Sequence, residues 1–198
     1  MNTIEKIQYN NTIHNTDKFS GGFFNDNRIG HNYQLLMKNF LHKDIPKIME
    51  IGTANGGFVK FLKDNNFKSF FIGVDIAPLD IHNHVSDFTN YNNLYDKFYT
   101  GDAFCDDYIQ WVLANDCKSD LVIEDGDHNP EHQSFLLSHV DKLITKNGVY
   151  ICEDVQSYDI ATQLTSFVPE EFKKYTYIWD GRFSVGRYDD ICVVVDTR

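Results

Sequence analysis

The sequence predicts a single α/β domain built on a mixed sheet of seven strands, with helices packed on both faces. Two observations favour this fold. Short apolar runs alternate along the chain with segments of helical periodicity, which is the pattern of βαβ units with parallel strands. The last two apolar runs, residues 175–179 and 191–195, are too close for a helical crossover, so we expect a C-terminal antiparallel hairpin. A chain of 198 residues has the length of one domain.

The first half of the chain opens with a polar, Asn-rich segment, residues 1–30, that shows no periodicity. We interpret it as an irregular arm or lid on an α/β core of residues 31–198. Apolar side chains at helical spacing predict an amphipathic helix over residues 31–42. The elements expected next are strands at 47–51, 69–74 and 98–100, a helix carrying Phe58, Phe61 and Leu62, a weakly helical stretch at 90–96 and a helix over 106–115.

The second half contains the clearest βαβ unit of the chain. Its two strands are predicted at residues 121–123 and 149–152. The helix between them has Asn129 as N-cap, Pro130 as first residue and Gly148 after its last turn. Because one helix joins them, the two strands should lie parallel with a right-handed crossover. A further helix over residues 160–167 and the closing hairpin complete the sheet.

Composition bears on the partners and the compartment of the protein. The formal net charge of −11 argues against nucleic acid, because binding to the phosphate backbone depends on Lys and Arg. The four cysteines form no C-x-x-C pair and no zinc spacing, which predicts a reduced, cytoplasmic protein. No signal peptide begins the sequence, and no apolar run approaches the roughly 18 residues that span a bilayer. We therefore expect a soluble protein.

Acidic side chains follow two strands that should be neighbours. Asp125 comes after the fourth predicted strand, and Glu153 and Asp154 follow the fifth. Parallel strands end at the same edge of a sheet, where open α/β sheets bind ligands, so these carboxylates should converge. Like charges at short range repel, and an oxygen-seeking divalent ion such as Mg²⁺ would resolve the repulsion. His128, three residues after Asp125, could serve as a base beside that metal.

A second site is predicted where the first strand turns into a helix. Glycines at positions 52 and 56 suit a sharp turn, and acidic residues end the next two strands. A dinucleotide site would carry G-x-G-x-x-G, but Ala54 stands at its second glycine. A turn that need not cradle a pyrophosphate suits S-adenosylmethionine (SAM) better. The candidate cofactor-binding residues are Glu50, Gly52, Thr53, Gly56, Asp75 and Asp102.

Taken together, these motifs resemble those of the class I SAM-dependent methyltransferases, which have a Rossmann-like fold. More narrowly, the chain is similar to the Mg²⁺-dependent sugar O-methyltransferases of the mycinamicin and macrocin type. The similarity covers most of the chain, and the D-G-x-H and E-D motifs are its most specific part. The matching residues are Thr16-Asp17-Lys18, His31, Tyr33, the turn from Glu50 to Gly57, Asp75, Gly101-Asp102, Asp125-Gly126-Asp127-His128, His132-Gln133, Glu153-Asp154 and Ser157-Tyr158.

The resemblance implies a role for each matched site residue. Asp125, Glu153 and Asp154 would hold Mg²⁺, His128 would be the base, and the turn with its acidic partners would bind SAM. Two residues depart from the family pattern: Ala103 replaces a common glutamine, and Asp127 stands where a small serine is usual. A homo-oligomer is a further expectation, although this chain lacks the large N-terminal region of some relatives.

The implied function is O-methylation of a sugar hydroxyl in a glycan or glycoside, with Mg²⁺ lowering the pKa of that hydroxyl. Three alternatives stay open: a metal-dependent methyltransferase acting on a catechol or other phenol, an NAD-linked oxidoreductase, and a non-catalytic binding protein with the same fold. His132, in the first turn after His128, is interpreted as a local cap or a neighbour of the metal ligands.

Overall fold

A computed structural model describes residues 39–54, 56–77, 94–182 and 191–198, and it confirms the predicted mixed sheet with helices on both faces. Its strands are β1 (Lys47–Ile51), β2 (Phe70–Asp75), β3 (Lys97–Thr100), β4 (Ser119–Glu124), β5 (Ile144–Cys152), β6 (Thr176–Asp180) and β7 (Ile191–Asp196). Its helices are α1 (Gly57–Asp64), α2 (Asp106–Ala114), α3 (Pro130–Ser138), α4 (Val140–Leu143), α5 (Tyr158–Thr165) and α6 (Glu170–Lys173).

The order of strands reverses at β1, and this reversal creates a crevice at one edge of the sheet. The order is β3-β2-β1-β4-β5-β7-β6. Since β1 pairs in parallel with both β2 and β4, the chain fills one side of the sheet from β1 and then returns to fill the other. The carboxyl ends of β1 and β4 therefore flank the topological switch point, where open α/β sheets bind ligands.

The C-terminal strands pair antiparallel, as the short connection between them predicts. β7 pairs antiparallel with β6 from Ile191 to Val195 and also pairs antiparallel with β5. It therefore lies between β5 and β6, and the sheet changes from parallel to antiparallel at β5. The neighbouring pair β4 and β5 is parallel, which confirms the predicted βαβ unit.

Side chains of the central strands alternate between two cores, because successive residues of a strand point to opposite faces. In β4, Val122 packs into the core that α2, α3, α4 and α5 cover. Its neighbours Leu121 and Ile123 pack into the other core, which α1 covers. Burial on both faces explains why these strands read as continuous apolar runs in the sequence.

The helix after β4 begins as predicted. Asn129 is its N-cap, and the Asn129 side chain accepts a hydrogen bond of 3.0 Å from the backbone N–H of Glu131. Pro130 is the first helical residue. At this position an N–H has no partner within the helix, so its absence in proline costs no hydrogen bond. This cap sets the direction in which the chain leaves the carboxyl edge of the sheet.

The predicted end of that helix is wrong. The helix breaks at His139, and β5 already begins at Ile144, so Gly148 lies inside a strand and not after a helical turn. A Cβ on Gly148 would come within 3.0 Å of the carbonyl oxygen of Ser119 and 2.8 Å of the Cβ of Ile144. Glycine is needed here because β4 and β5 approach closely where their register shifts. In the sequence, a glycine at such a position is also the usual signal for the end of a helix.

Other elements differ less from the prediction. Of the weakly helical stretch at 90–96, the described part, residues 94–96, is not helical, and α6 has no counterpart in the prediction. The predicted arm at 1–30 and most of the helix at 31–42 lie outside the described residues. Among the helices of the described part, none has the length and apolar character that crossing a membrane requires.

Burial should decide the cost of a leucine-to-alanine change. Leu137 on α3 is fully buried in the larger core, whereas Leu113 on α2 is 41% exposed. Leu137→Ala should lower the free energy of unfolding by about 2–5 kcal/mol, because it removes packed methyl groups and leaves a cavity. Leu113→Ala makes the same chemical change on the surface and should cost about 0.5 kcal/mol or less. Urea unfolding of both variants measures the difference, and equal losses would contradict the assignment of the core.

Candidate functional site

The turn from β1 to α1 crosses the end of β4 at very short range. Gly52 has a φ of 84°, a left-handed conformation that favours glycine. A Cβ at this position would lie 1.9 Å from the carbonyl oxygen of Asp125, so no larger residue fits without moving the backbone. The crossing is held by hydrogen bonds from the Gly52 N–H to Val74 O and from the Asp125 N–H to Ile51 O, each 2.8 Å.

Asp75, at the end of β2, fixes the shape of that turn. Its carboxylate accepts hydrogen bonds from the backbone N–H of Ala54 at 2.9 Å and from the hydroxyl of Thr53 at 3.3 Å. It also accepts the N–H of Ala77 at 3.1 Å. Ala54 has a φ of 44°, and the bond to Asp75 stabilises this unusual conformation. Gly56 then enters α1 with a φ of 71°.

A pocket of about 350 Å³ opens at the switch point. Three predicted cofactor residues, Gly52, Asp75 and Asp102, lie on its wall. Glu50, Thr53 and Gly56 do not; Glu50 is buried beneath the turn and accepts a 2.6 Å hydrogen bond from the Tyr95 hydroxyl. The full lining is Ile51, Gly52, Ala54, Val74, Asp75, Ile76, Gly101, Asp102, Ala103, Phe104, Asp125, Gly126, Asp127 and His132.

One wall of the pocket is formed by two stacked rings whose contact the sequence did not indicate. The ring of His132 stacks on Phe104, with centroids 4.4 Å apart and an interplanar angle of 10°. The Nδ1 atom of His132 lies 2.6 Å from a carboxylate oxygen of Asp127. Asp127 itself accepts a hydrogen bond from the Asn129 N–H at 3.1 Å. The spacing from Asp127 to His132 could have suggested their contact, but Phe104 follows a different strand and carries no such signal.

Three of the four residues of the predicted acidic site come together. Asp125, His128 and Asp154 each offer one ligand atom, and these atoms lie within 4.8 Å of one another. Nε2 of His128 is 3.2 Å from Oδ1 of Asp125 and 3.9 Å from Oδ2 of Asp154. Both His128 and Asp154 have left-handed backbones, with φ values of 57° and 51°. These conformations turn side chains from two strands toward one point.

Glu153, the third predicted ligand, is not part of the cluster that Asp125, His128 and Asp154 form. Glu153 is the first residue after β5, and its N–H donates to Glu124 O at 2.9 Å. The side chain is 1% exposed. The left-handed turn comes one residue later, at Asp154, and redirects only that side chain toward the edge.

Glu124 precedes Asp125 in the chain and is fully buried at the end of β4. Its Oε1 accepts a hydrogen bond of 3.3 Å from the Gly126 N–H. Burial raises the pKa of Glu124 to about 7, while hydrogen bonds with Cys152 and Gly126 oppose the shift. β4 runs one residue beyond the predicted strand, so Glu124 is the last strand residue and its side chain is buried.

The side chains of the cluster fit a divalent cation. Two carboxylates supply the hard oxygen ligands that Mg²⁺ prefers, and an imidazole nitrogen is also acceptable to Mn²⁺ and Fe²⁺. The negative charge of the two carboxylates acts strongly on His128. The hydrogen bond with Asp125 is the largest cause that raises the pKa of His128 to about 9, with burial opposing it and the charges of Asp154 and Glu124 adding to it.

Known proteins match this chain in structure and not in sequence. No family profile and no curated protein matches it. MycE methyltransferase from the mycinamycin biosynthetic pathway, solved with Mg, SAH and mycinamycin VI, gives a TM-score of 0.63 at 16% identity over 95% of this chain and 53% of MycE. Human methyltransferase-like protein 13, solved with SAH, gives a TM-score of 0.56 at 18% identity over 79% and 74% of the two chains.

The likeness is one of fold. Spermidine synthase from Thermotoga maritima also matches, with a TM-score of 0.52 at 12% identity over 80% of this chain and 55% of the synthase. The chain therefore has the Rossmann-like fold that solved SAM-dependent methyltransferases share, and this fold also supports other transfers. It spans about half the length of MycE, so the acceptor of MycE is not carried over with the fold.

The raised pKa of His128 can be measured directly. In metal-free protein, an NMR titration of the imidazole should give a pKa of about 9. Asp125→Asn should bring that pKa down toward the ordinary value of about 6.5, because it removes the largest cause of the shift. Since the folded pKa is the higher one, the stabilisation is complete below about pH 6.5 and is lost as the pH rises toward 9.

The matched control is Asp127→Asn, which removes a carboxylate from the same loop that bonds to His132. The pKa of His128 should keep its raised value in this variant. A shift of equal size in both variants would mean that the loop as a whole, and not contact with Asp125, sets the charge of His128.

Proposed function

We propose that this protein is a SAM-dependent O-methyltransferase that uses a divalent cation and acts on a sugar hydroxyl. One observation carries the proposal: Asp125 lies both on the wall of the pocket and in the cluster with His128 and Asp154. A cofactor in the pocket and an acceptor at the cluster would meet at this residue. Direct transfer between two bound reactants requires such proximity.

The pocket would take SAM. Its volume is within the range of small-molecule sites, and its walls combine apolar surfaces with a few polar groups. Ile76, which is 79% exposed, and Phe104 offer apolar surfaces for a purine. Asp75 and Asp102 offer carboxylates to hydroxyl and amino groups. Bound in this way, the cofactor supplies an electrophilic methyl group.

Three cofactor residues predicted from the sequence would act indirectly. Thr53 donates to Asp75, and the N–H of Gly56 donates to the Thr53 carbonyl at 2.7 Å, so both shape the turn. Glu50 is buried below it with Tyr95. We infer that these residues hold Gly52 in place, and that they do so without touching the ligand.

Asp125 and Asp154 would hold the cation, which supplies positive charge near an alkoxide as it develops. The donor chemistry of the cluster supports this assignment. Glu153, whose carboxylate lies outside the cluster, stays a prediction from the sequence.

His128 would be the general base. Its Nε2 lies between Asp125 and Asp154, and these carboxylates orient the ring. A sugar hydroxyl ionises far above neutral pH, so a positioned base that removes the proton during transfer lowers the barrier. In metal-free protein the two carboxylates keep His128 protonated, so neutralising their charge is a condition for the role of base.

The first experiment combines binding and turnover. Calorimetric titration should detect binding of S-adenosylhomocysteine (SAH), the product that remains when SAM has lost its methyl group. Labelled SAM should transfer its methyl group to a glycoside with a vicinal diol. EDTA should abolish transfer, and added Mg²⁺ should restore it. Asp154→Asn should abolish transfer while SAH still binds, because Asp154 belongs to the cluster and not to the pocket wall.

Each other outcome has a defined meaning. Absence of SAH binding would overturn the assignment of the pocket. Transfer that is insensitive to EDTA would overturn the role of the cation. Transfer to catechols in preference to glycosides would show that the acceptor is a planar phenol and not a sugar. The proposed cofactor, cation and base would be unaffected.

The role of His128 is tested by His128→Ala. Loss of a general base should lower kcat by about 10²–10⁴-fold, with the affinities for SAH and for Mn²⁺ unchanged. His42→Ala, an exposed histidine far from the carboxyl edge, is the control and should leave kcat unchanged. If Mn²⁺ affinity falls together with kcat, His128 is a ligand of the cation and another group is the base.

A further inference from the structure

Gln133 is a fully buried polar residue in the first turns of α3. Its neighbours on the buried face of the helix, Leu136 and Leu137, belong to the larger core. The side-chain Nε2 of Gln133 donates a hydrogen bond of 2.9 Å to the carbonyl oxygen of Glu153. A side chain of α3 thus reaches the segment that follows β5, twenty residues away in the sequence.

This hydrogen bond fixes the peptide group that precedes Asp154. The Glu153 carbonyl belongs to the peptide between residues 153 and 154, and Gln133 holds its orientation. On the other side of Asp154, the N–H of Val155 donates to the carbonyl of Ile191 in β7 at 2.9 Å. Asp154 is therefore held between two fixed peptides, and its φ of 51° lies in the left-handed region, which residues other than glycine adopt uncommonly.

Gln133 also connects the two halves of the cation cluster. Asp125 and His128 lie in the loop that leads into α3, and the Gln133 N–H donates to the Asn129 carbonyl within that helix start. Asp154 lies in the loop after β5. Because α3 carries Gln133, a shift of one loop relative to the other must stretch the bond to Glu153.

The amide of Gln133 is not explained by packing. Its Oε1 is buried, and no hydrogen bond to it exists among the described residues. A buried acceptor without a donor is destabilising, and an apolar residue of the same size would avoid it. The Nε2–H group is therefore the part of the side chain that stabilises the structure, through its hydrogen bond to the Glu153 carbonyl.

We propose that Gln133 is a positioning residue for the cation site. It keeps Asp154 in the left-handed conformation that brings its carboxylate to Asp125 and His128, without touching the ion or the substrate. Replacing a residue that orients a metal ligand without itself binding the metal weakens metal affinity. This inference rests on the proposed cation site and adds the residue that holds its geometry.

The test is Gln133→Met, which keeps the length and apolar volume of the side chain and removes the donor. Mn²⁺ binding, followed by electron paramagnetic resonance in the absence of substrate, should weaken by about tenfold or more. SAH affinity, measured by calorimetry, should be unchanged, because Gln133 does not line the pocket. In turnover, the Mg²⁺ concentration for half-maximal activity should rise, and saturating Mg²⁺ should recover kcat.

Leu137→Ala separates positioning from loss of stability, since it lowers the stability of the same helix without removing the bond to Glu153. It should leave Mn²⁺ affinity unchanged at a temperature where the protein is folded. If Gln133→Met binds Mn²⁺ as tightly as the unmodified protein, the inference is wrong. If the unmodified protein binds no Mn²⁺, the proposed cation site fails instead, and the two failures are thereby distinguished.

Discussion

The contact between the β1–α1 turn and the end of β4 is the constraint on which the site depends. Gly52 and the carbonyl of Asp125 lie so close that any side chain at position 52 would displace the backbone. The same contact places the pocket wall next to the acidic cluster, since Asp125 belongs to both. Because glycine lacks a Cβ, Gly52 allows the proposed cofactor site and the proposed cation site to lie side by side.

Unusual backbone conformations concentrate around this contact. Ala54, His128 and Asp154 all have positive φ values, and each lies in a loop at the carboxyl edge of the sheet. Such conformations cost free energy and persist where surrounding bonds determine them. Asp75 supplies those bonds for Ala54, and Gln133 supplies one of them for the peptide before Asp154. The strands and the buried polar side chains together fix loop conformations that could not be predicted from the sequence alone.

Much of the fold could be predicted because it follows from local pattern. Apolar runs predicted β1 in full and the ends of the other strands within two residues, except the start of β5, which lies five residues earlier than predicted. The cap at Asn129 gave the start of α3. Errors arose where one local signal has two meanings. Gly148 can end a helix or allow a close approach within a strand, and only the neighbouring Ser119 carbonyl decides between them. Glu124 similarly looks like a loop residue until the length of β4 is known, and Glu153 is buried although it follows the last residue of β5.

The sequence by itself determined which chemical groups reach the carboxyl edge, because strand ends and residue types are local properties. It predicted that Asp125, Glu153 and Asp154 would converge beside His128, and of these four residues the structure brings Asp125, His128 and Asp154 together. Tertiary structure decided which members of each cluster point to the same place: Asp154 and not Glu153, and the stack of His132 on Phe104. Side-chain direction depends on backbone turns and on contacts between distant segments, and neither is encoded in the spacing of residues along the chain.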